Sequence, residues 1–142
     1  MLTAVIGGNL LLKAFELTPC LIIDCGNAAN PHSLFPKIRE EQLHDVYVMN
    51  AEAIYRFRDA LKQVPYWAQR LKVRQIIVTT IHALFSYDDE EENYNVLEQC
   101  WKLMKQISEK IPVTVGVNDL HFAIRFADKV VSWDTLSQHK GR

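Results

Sequence analysis

Short apolar blocks alternate along this chain with longer stretches in which apolar residues recur every third or fourth position. The short blocks fall at 2–6, 20–24, 45–49, 73–80, 113–117 and 129–133. They are rich in Val and Ile and bounded by Gly, Pro or Asn, so they predict strands. Blocks such as Cys20-Leu21-Ile22-Ile23 and Val113-Thr114-Val115-Gly116-Val117 run apolar almost without alternation, which is the pattern of a strand covered on both faces.

The longer stretches predict helices. Good helix formers fill 10–17, and Thr18-Pro19 ends that segment because the residue before Pro is pushed out of the α region. A second helix is expected over 36–43. Asn50 is a suitable N-cap for a helix over 51–63, where Ile54, Phe57, Leu61 and Val64 form one stripe. Pro65 is expected to interrupt it, leaving 66–71 as a separate turn. Val96, Leu97, Cys100, Trp101, Met104 and Ile107 mark the strongest amphipathic helix, which Pro112 closes. A short helix is expected over 120–126. Strand and helix thus alternate throughout. That order predicts an α/β fold: a three-layer sandwich with a mostly parallel sheet and helices on both faces. The chain reads as one domain over 1–136, with a polar tail over 137–142.

Composition narrows the function classes. The chain has 142 residues, 49% hydrophobic and 23% charged, which suits a packed core and argues against general disorder. The net charge of −1 gives no whole-chain attraction for nucleic acid or an anionic membrane, so a nucleic-acid partner is left possible but unsupported. Lys62, Arg70, Lys72 and Arg74 cluster, but such a group reads as a solvated face. No apolar run approaches the roughly 20 residues needed to span a bilayer, and no membrane partner is expected. Cys20, Cys25 and Cys100 show no metal-ligand spacing, so reduced thiols, a cytoplasmic location and no metal or cofactor are expected.

Candidate chemistry gathers at strand ends, because ligands in open α/β sheets sit beyond the carboxyl ends of the strands. The first candidate is Asp24 with the loop that follows it, through Asn27, Asn30 and His32. The second is Gly7-Gly8-Asn9, placed like a phosphate-binding loop between a first strand and a first helix. A working phosphate loop needs Lys and a hydroxyl, and here Asn9 and Leu10 follow Gly8 instead. Thr79, Thr80 and His82 end the central strand, and Asn118 and Asp119 end the next. Trp101 reads as core, whereas Tyr66, Trp67 and Trp133 are candidate contact aromatics.

The stretches from Cys20 to His32, from Val46 to Ala51 and from Arg74 to Phe85, continued by the acidic run, the long helix and Val113 to Asn118, together with the order of elements over about 2–133, resemble the RecA/RadA recombinase-type ATPase core. The resemblance implies a P-loop NTPase topology. It also places Thr79 where the family has a magnesium-holding Asp, Asn9 where it has the phosphate-binding Lys, and Gly26 or Asn27 where it has the catalytic Glu. Phosphoryl transfer depends almost wholly on such positioning and charge, so the resemblance implies a degenerate member that does not hydrolyse ATP. What remains is a binding or regulatory module with a protein partner or a second copy of itself, in DNA repair or recombination. The alternative is a metal-dependent nuclease of the PIN or NYN kind, for which Asp24 and Asp119, joined by Asp88 or Asp128, would have to converge. Cys25 is a weak nucleophile in either case, because the Asp24 carboxylate raises its thiol pKa.

Overall fold

A computed structural model of the chain describes residues 1–7, 16–25, 45–79, 81, 90–118 and 120–132. Nine elements follow in order: β1 (Leu2–Ile6), β2 (Cys20–Asp24), β3 (Val46–Asn50), α1 (Ile54–Leu71), β4 (Gln75–Val78), α2 (Glu90–Ser108), β5 (Val113–Val117), α3 (His121–Phe126) and β6 (Lys129–Ser132). The strands form one six-stranded sheet in the order β3-β2-β4-β5-β1-β6, and every pairing is parallel. An all-parallel sheet with these three helices is consistent with the expected three-layer sandwich.

Period-two alternation divides the strand residues between two faces. Leu2, Ala4, Leu21, Ile23, Ile76, Val78, Val113, Val115 and Val117 share a core with Ile54, Phe57, Leu61 and Val64 of α1 and with Val96, Cys100, Trp101 and Met104 of α2. Val5, Cys20, Ile22 and Ile77 stand on the opposite face and are equally buried. Both faces are therefore withdrawn from water, as a parallel sheet requires. Trp101 is core, as its place on the helical stripe predicts, and it stacks with Phe126 of α3 at 6.5 Å.

Two local expectations are corrected. The first helix is not broken at Pro65. One helix runs from Ile54 to Leu71 with Pro65 inside it. Pro65 lies on the exposed side, while Leu61, Val64 and Ala68 are buried on either side of it. Burial of that stripe outweighs the missing backbone bond, whose loss costs about 3 kcal/mol in an isolated helix interior. Asn50 is the last residue of β3 rather than a helix cap; Ala53 occupies the N-cap position without a side-chain cap. At the other end Lys72 takes a left-handed conformation (φ 54°), and its N–H bonds the Ala68 carbonyl, turning the chain into β4. Leu120 stands at the N-cap of α3.

Candidate functional site at the carboxyl edge of the sheet

The strand order decides where a crevice can open. The chain leaves β2 toward β3 on one side and leaves β4 toward β5 on the other. The order therefore reverses between β2 and β4, the place where ligand crevices form in open α/β sheets. Asp24 ends β2, and Thr79 follows the last residue of β4. Ile23 pairs with Val78, so Asp24 and Thr79 leave the sheet side by side. By alternation both side chains stand on the face opposite α1 and α2.

These two residues are joined rather than open. The Thr79 hydroxyl lies 3.3 Å from Asp24 Oδ1 and donates to it, and the same oxygen accepts the Cys25 N–H at 2.8 Å. The backbone reinforces the tie: Thr79 N–H donates to the Ile23 carbonyl at 3.0 Å, and Ala51 N–H donates to the Asp24 carbonyl at 2.9 Å. Asp24 is 2% exposed and Thr79 8%. A carboxylate in this position is a structural acceptor with its oxygens turned from solvent. Among the described residues no group of three or more His, Cys, Asp or Glu is placed to hold a metal ion.

Cys25 packs in the core beside them. Burial pushes its thiol well above the ordinary range, and the charges of Asp24 and then Cys100 push it further. The neighbouring carboxylate acts in the expected direction, but burial is the larger cause. Burial also pushes the Cys20 and Cys100 thiols up to about 12. None of the three supplies a thiolate near neutral pH.

A second pair of strand ends lies two strands away. Ile6 pairs with Val117, which carries Gly7 and Asn118 out of the sheet together. Gly7 has φ +76°, a conformation that suits glycine, and among the described residues nothing lies within 4 Å of the position a side chain would take. Asn118 is exposed. Because β4 separates β2 from β5, the backbone leaving β5 starts about 10 Å from β2 at ordinary strand spacing. Gly8, Asn9, Asn27, Asn30, His32, Thr80, His82 and Asp119 lie outside the described residues, as do Asp88 and Trp133. Asp128 is placed, and it corrects one expectation: its carboxylate accepts the Leu2 N–H at 2.7 Å and pairs with Lys105. It therefore sits at the amino end of the sheet, opposite the edge that carries Asp24, and cannot join it around one metal. The Leu2 amide, then the Lys105 ammonium, holds the Asp128 carboxyl below its usual range.

Side chains on the helix side of the same carboxyl edge went unnoticed in the sequence. Tyr94 Oη and His121 Nε2 lie 3.1 Å apart, joining the first turns of α2 and α3. Tyr55, in the first turn of α1, bonds Glu92 of α2. The usable signal was position: Tyr55, Glu92, Tyr94 and His121 lie in the first two turns of helices that come next after a strand in the chain, so the fold sets all of them at one rim. Lys62, Arg70, Lys72 and Arg74 are exposed as expected, and Tyr66 is exposed while Trp67 packs partly against the core.

Among the described residues no helix is long and apolar enough to cross a membrane. Comparison of the chain with protein-family models and with curated proteins gives no match.

Proposed function

We propose that this chain is a RecA-like α/β domain that lacks ATP-hydrolysing chemistry and works by binding a protein partner or a second copy of itself. The DNA repair or recombination setting follows from the family resemblance alone. One observation carries the reading. At the end of β4, where that family keeps a magnesium-holding carboxylate, Thr79 spends its hydroxyl on Asp24 and the Cys25 amide in a buried position. A neutral hydroxyl committed to internal bonds contributes no charge to a metal–phosphate site, and charge placement is most of phosphoryl-transfer catalysis. The layout supports the RecA-like part of the reading: the sheet is parallel, the first strand lies inside it, and Gly7 turns the chain at the carboxyl edge.

The test combines two measurements on the intact protein. Phosphate release from ATP, with and without DNA, should stay at the blank. A thermal-shift screen with ATP, GTP, magnesium and manganese should leave Tm unchanged, since any ligand bound by the native state raises it. Catalytic turnover above the blank overturns the proposal.

A further inference from the structure

Edge strands expose a row of backbone donors and acceptors, and proteins normally guard them with charge, proline or a bulge. The two edges of this sheet are treated differently. β6 begins with Lys129, directly after Asp128. β3 is Val46-Tyr47-Val48-Met49-Asn50, with no charge and no proline, and Val48 is 37% exposed. Among the described residues β3 pairs with β2 alone.

The direction of its outer hydrogen-bonding groups follows from one bond. Ala51 N–H donates inward, to the Asp24 carbonyl of β2. Backbone groups alternate sides along a strand, so Tyr47 and Met49 also face β2. Val46, Val48 and Asn50 then present both N–H and C=O outward.

We infer that the β3 edge is a self-association surface, on which β3 of a second copy pairs antiparallel about a two-fold axis centred on Val48. In this register Val48 meets Val48 of the other copy, and Val46 meets Asn50 in both directions. Each is a hydrogen-bonded pair, so every outward group of the three residues finds its complement in the same three residues of the second copy. No charged residue lies within 46–51, and the ladder therefore opposes no like charges. A second copy fits this edge better than a charged peptide, for which β3 has no complementary charge. The two sheets would join into one continuous sheet across the axis. The inference rests on the binding part of the proposed function, for which it names the surface and the partner, and is independent of the loss of ATP hydrolysis.

The test is sedimentation of the full chain over a concentration series, with Val48→Lys and Val130→Lys as matched edge variants. Val48→Lys puts two ammonium groups across the axis and should give a monomer, with a native circular-dichroism spectrum. Val130→Lys, on the other edge, should associate like the parent. Hydrogen exchange on the unmodified protein keeps the test independent of any variant. The amides of Val46, Val48 and Asn50 should gain protection as concentration rises, while those of Tyr47 and Met49 stay protected throughout. A monomer at every concentration overturns the inference, and so does a dimer whose outward β3 amides gain no protection. Either outcome leaves the phosphate-release result standing on its own.

Discussion

Thr79→Val tests whether the tie between β2 and β4 is structural. Valine keeps the shape of the side chain and removes the hydroxyl. The Cys25 N–H, which that oxygen accepts at 2.8 Å in a buried setting, then has no acceptor there. Leaving one buried donor unpaired costs about 1–3 kcal/mol. Asp24 also loses a donor, but the bond is long at 3.3 Å and Asp24 keeps other interactions, so we add only about 0.5 kcal/mol for it. The expected loss is about 1.5–3.5 kcal/mol. At about 4 °C per kcal/mol for a chain of this size, Tm should fall by about 6–14 °C. Thr79→Ser is the control. It keeps the hydroxyl and deletes one methyl group, which costs about 0.5–1.5 kcal/mol. Urea denaturation monitored by tryptophan fluorescence would measure both variants against the parent. If Thr79→Val lies within about 0.5 kcal/mol of the parent, a change typical of a surface site, the hydroxyl is not holding the edge. If Thr79→Ser is the less stable of the two, packing of the methyl matters more than the bonds, and the reasoning fails.

Two further predictions address other parts of the fold. Cys20, Cys25 and Cys100 are buried, with thiols raised above the ordinary 9.0 in the folded state. Unfolding above pH 9 releases protons that the native state retains, so the stability from these neutral thiols is full below pH 9. It declines as pH rises toward 12, by up to about 1.4 kcal/mol per pH unit for each thiol. The urea midpoint should therefore be lower at pH 10 than at pH 8, and replacing Cys100 with Ala should flatten that dependence; an unchanged slope refutes the assignment. Pro65→Ala should stabilise the protein by about 2–2.6 kcal/mol, because it restores the N–H facing the Leu61 carbonyl at an exposed position, less the unfolded-chain entropy that proline had removed. A lower Tm for this variant would mean that Pro65 contributes packing that outweighs the missing bond.

The sheet was legible where burial is complete. β2 and β5, buried at every position, keep the bounds of their predicted blocks, as does β1, which is buried at Leu2, Ala4 and Val5. β4 is shorter than its apolar run because Lys72 is still turning the chain and Arg74 is exposed, so pairing starts only at Gln75. Pro65 and Asn50 misled for a common reason. Each is a local signal, and each was outweighed by contacts from elsewhere: the α1 stripe against α2, and the pairing of Asn50 with Asp24. Strand order was not legible at all. Alternation of strand and helix implies a parallel sheet, but it does not say that β4 lies beside β2 or that β1 lies between β5 and β6. The site shares that limit. Asp24 announced itself as a carboxylate ending a buried strand, whereas its partner Thr79 lies 55 residues away and meets it only because β2 and β4 are neighbours.

That adjacency also links the tie at Asp24 to the inferred pairing edge of β3. Where strand order reverses, the loops leaving two neighbouring strands diverge, and the gap between them is the natural seat of a ligand. Here the gap begins with a hydroxyl bridging a carboxylate and an amide, and the neighbouring Ala51 N–H closes on the same residue from β3. Asp24 is thus held from both sides, by β4 through its side chain and by β3 through its backbone. The arrangement fixes the register of β3 against β2 up to its last residue, and with it the direction in which Val46, Val48 and Asn50 aim their outer groups. A partner strand pairs well only with an edge whose register does not slip. The tie between Asp24 and Thr79 therefore also steadies the lateral edge of the sheet on which the inferred self-association depends.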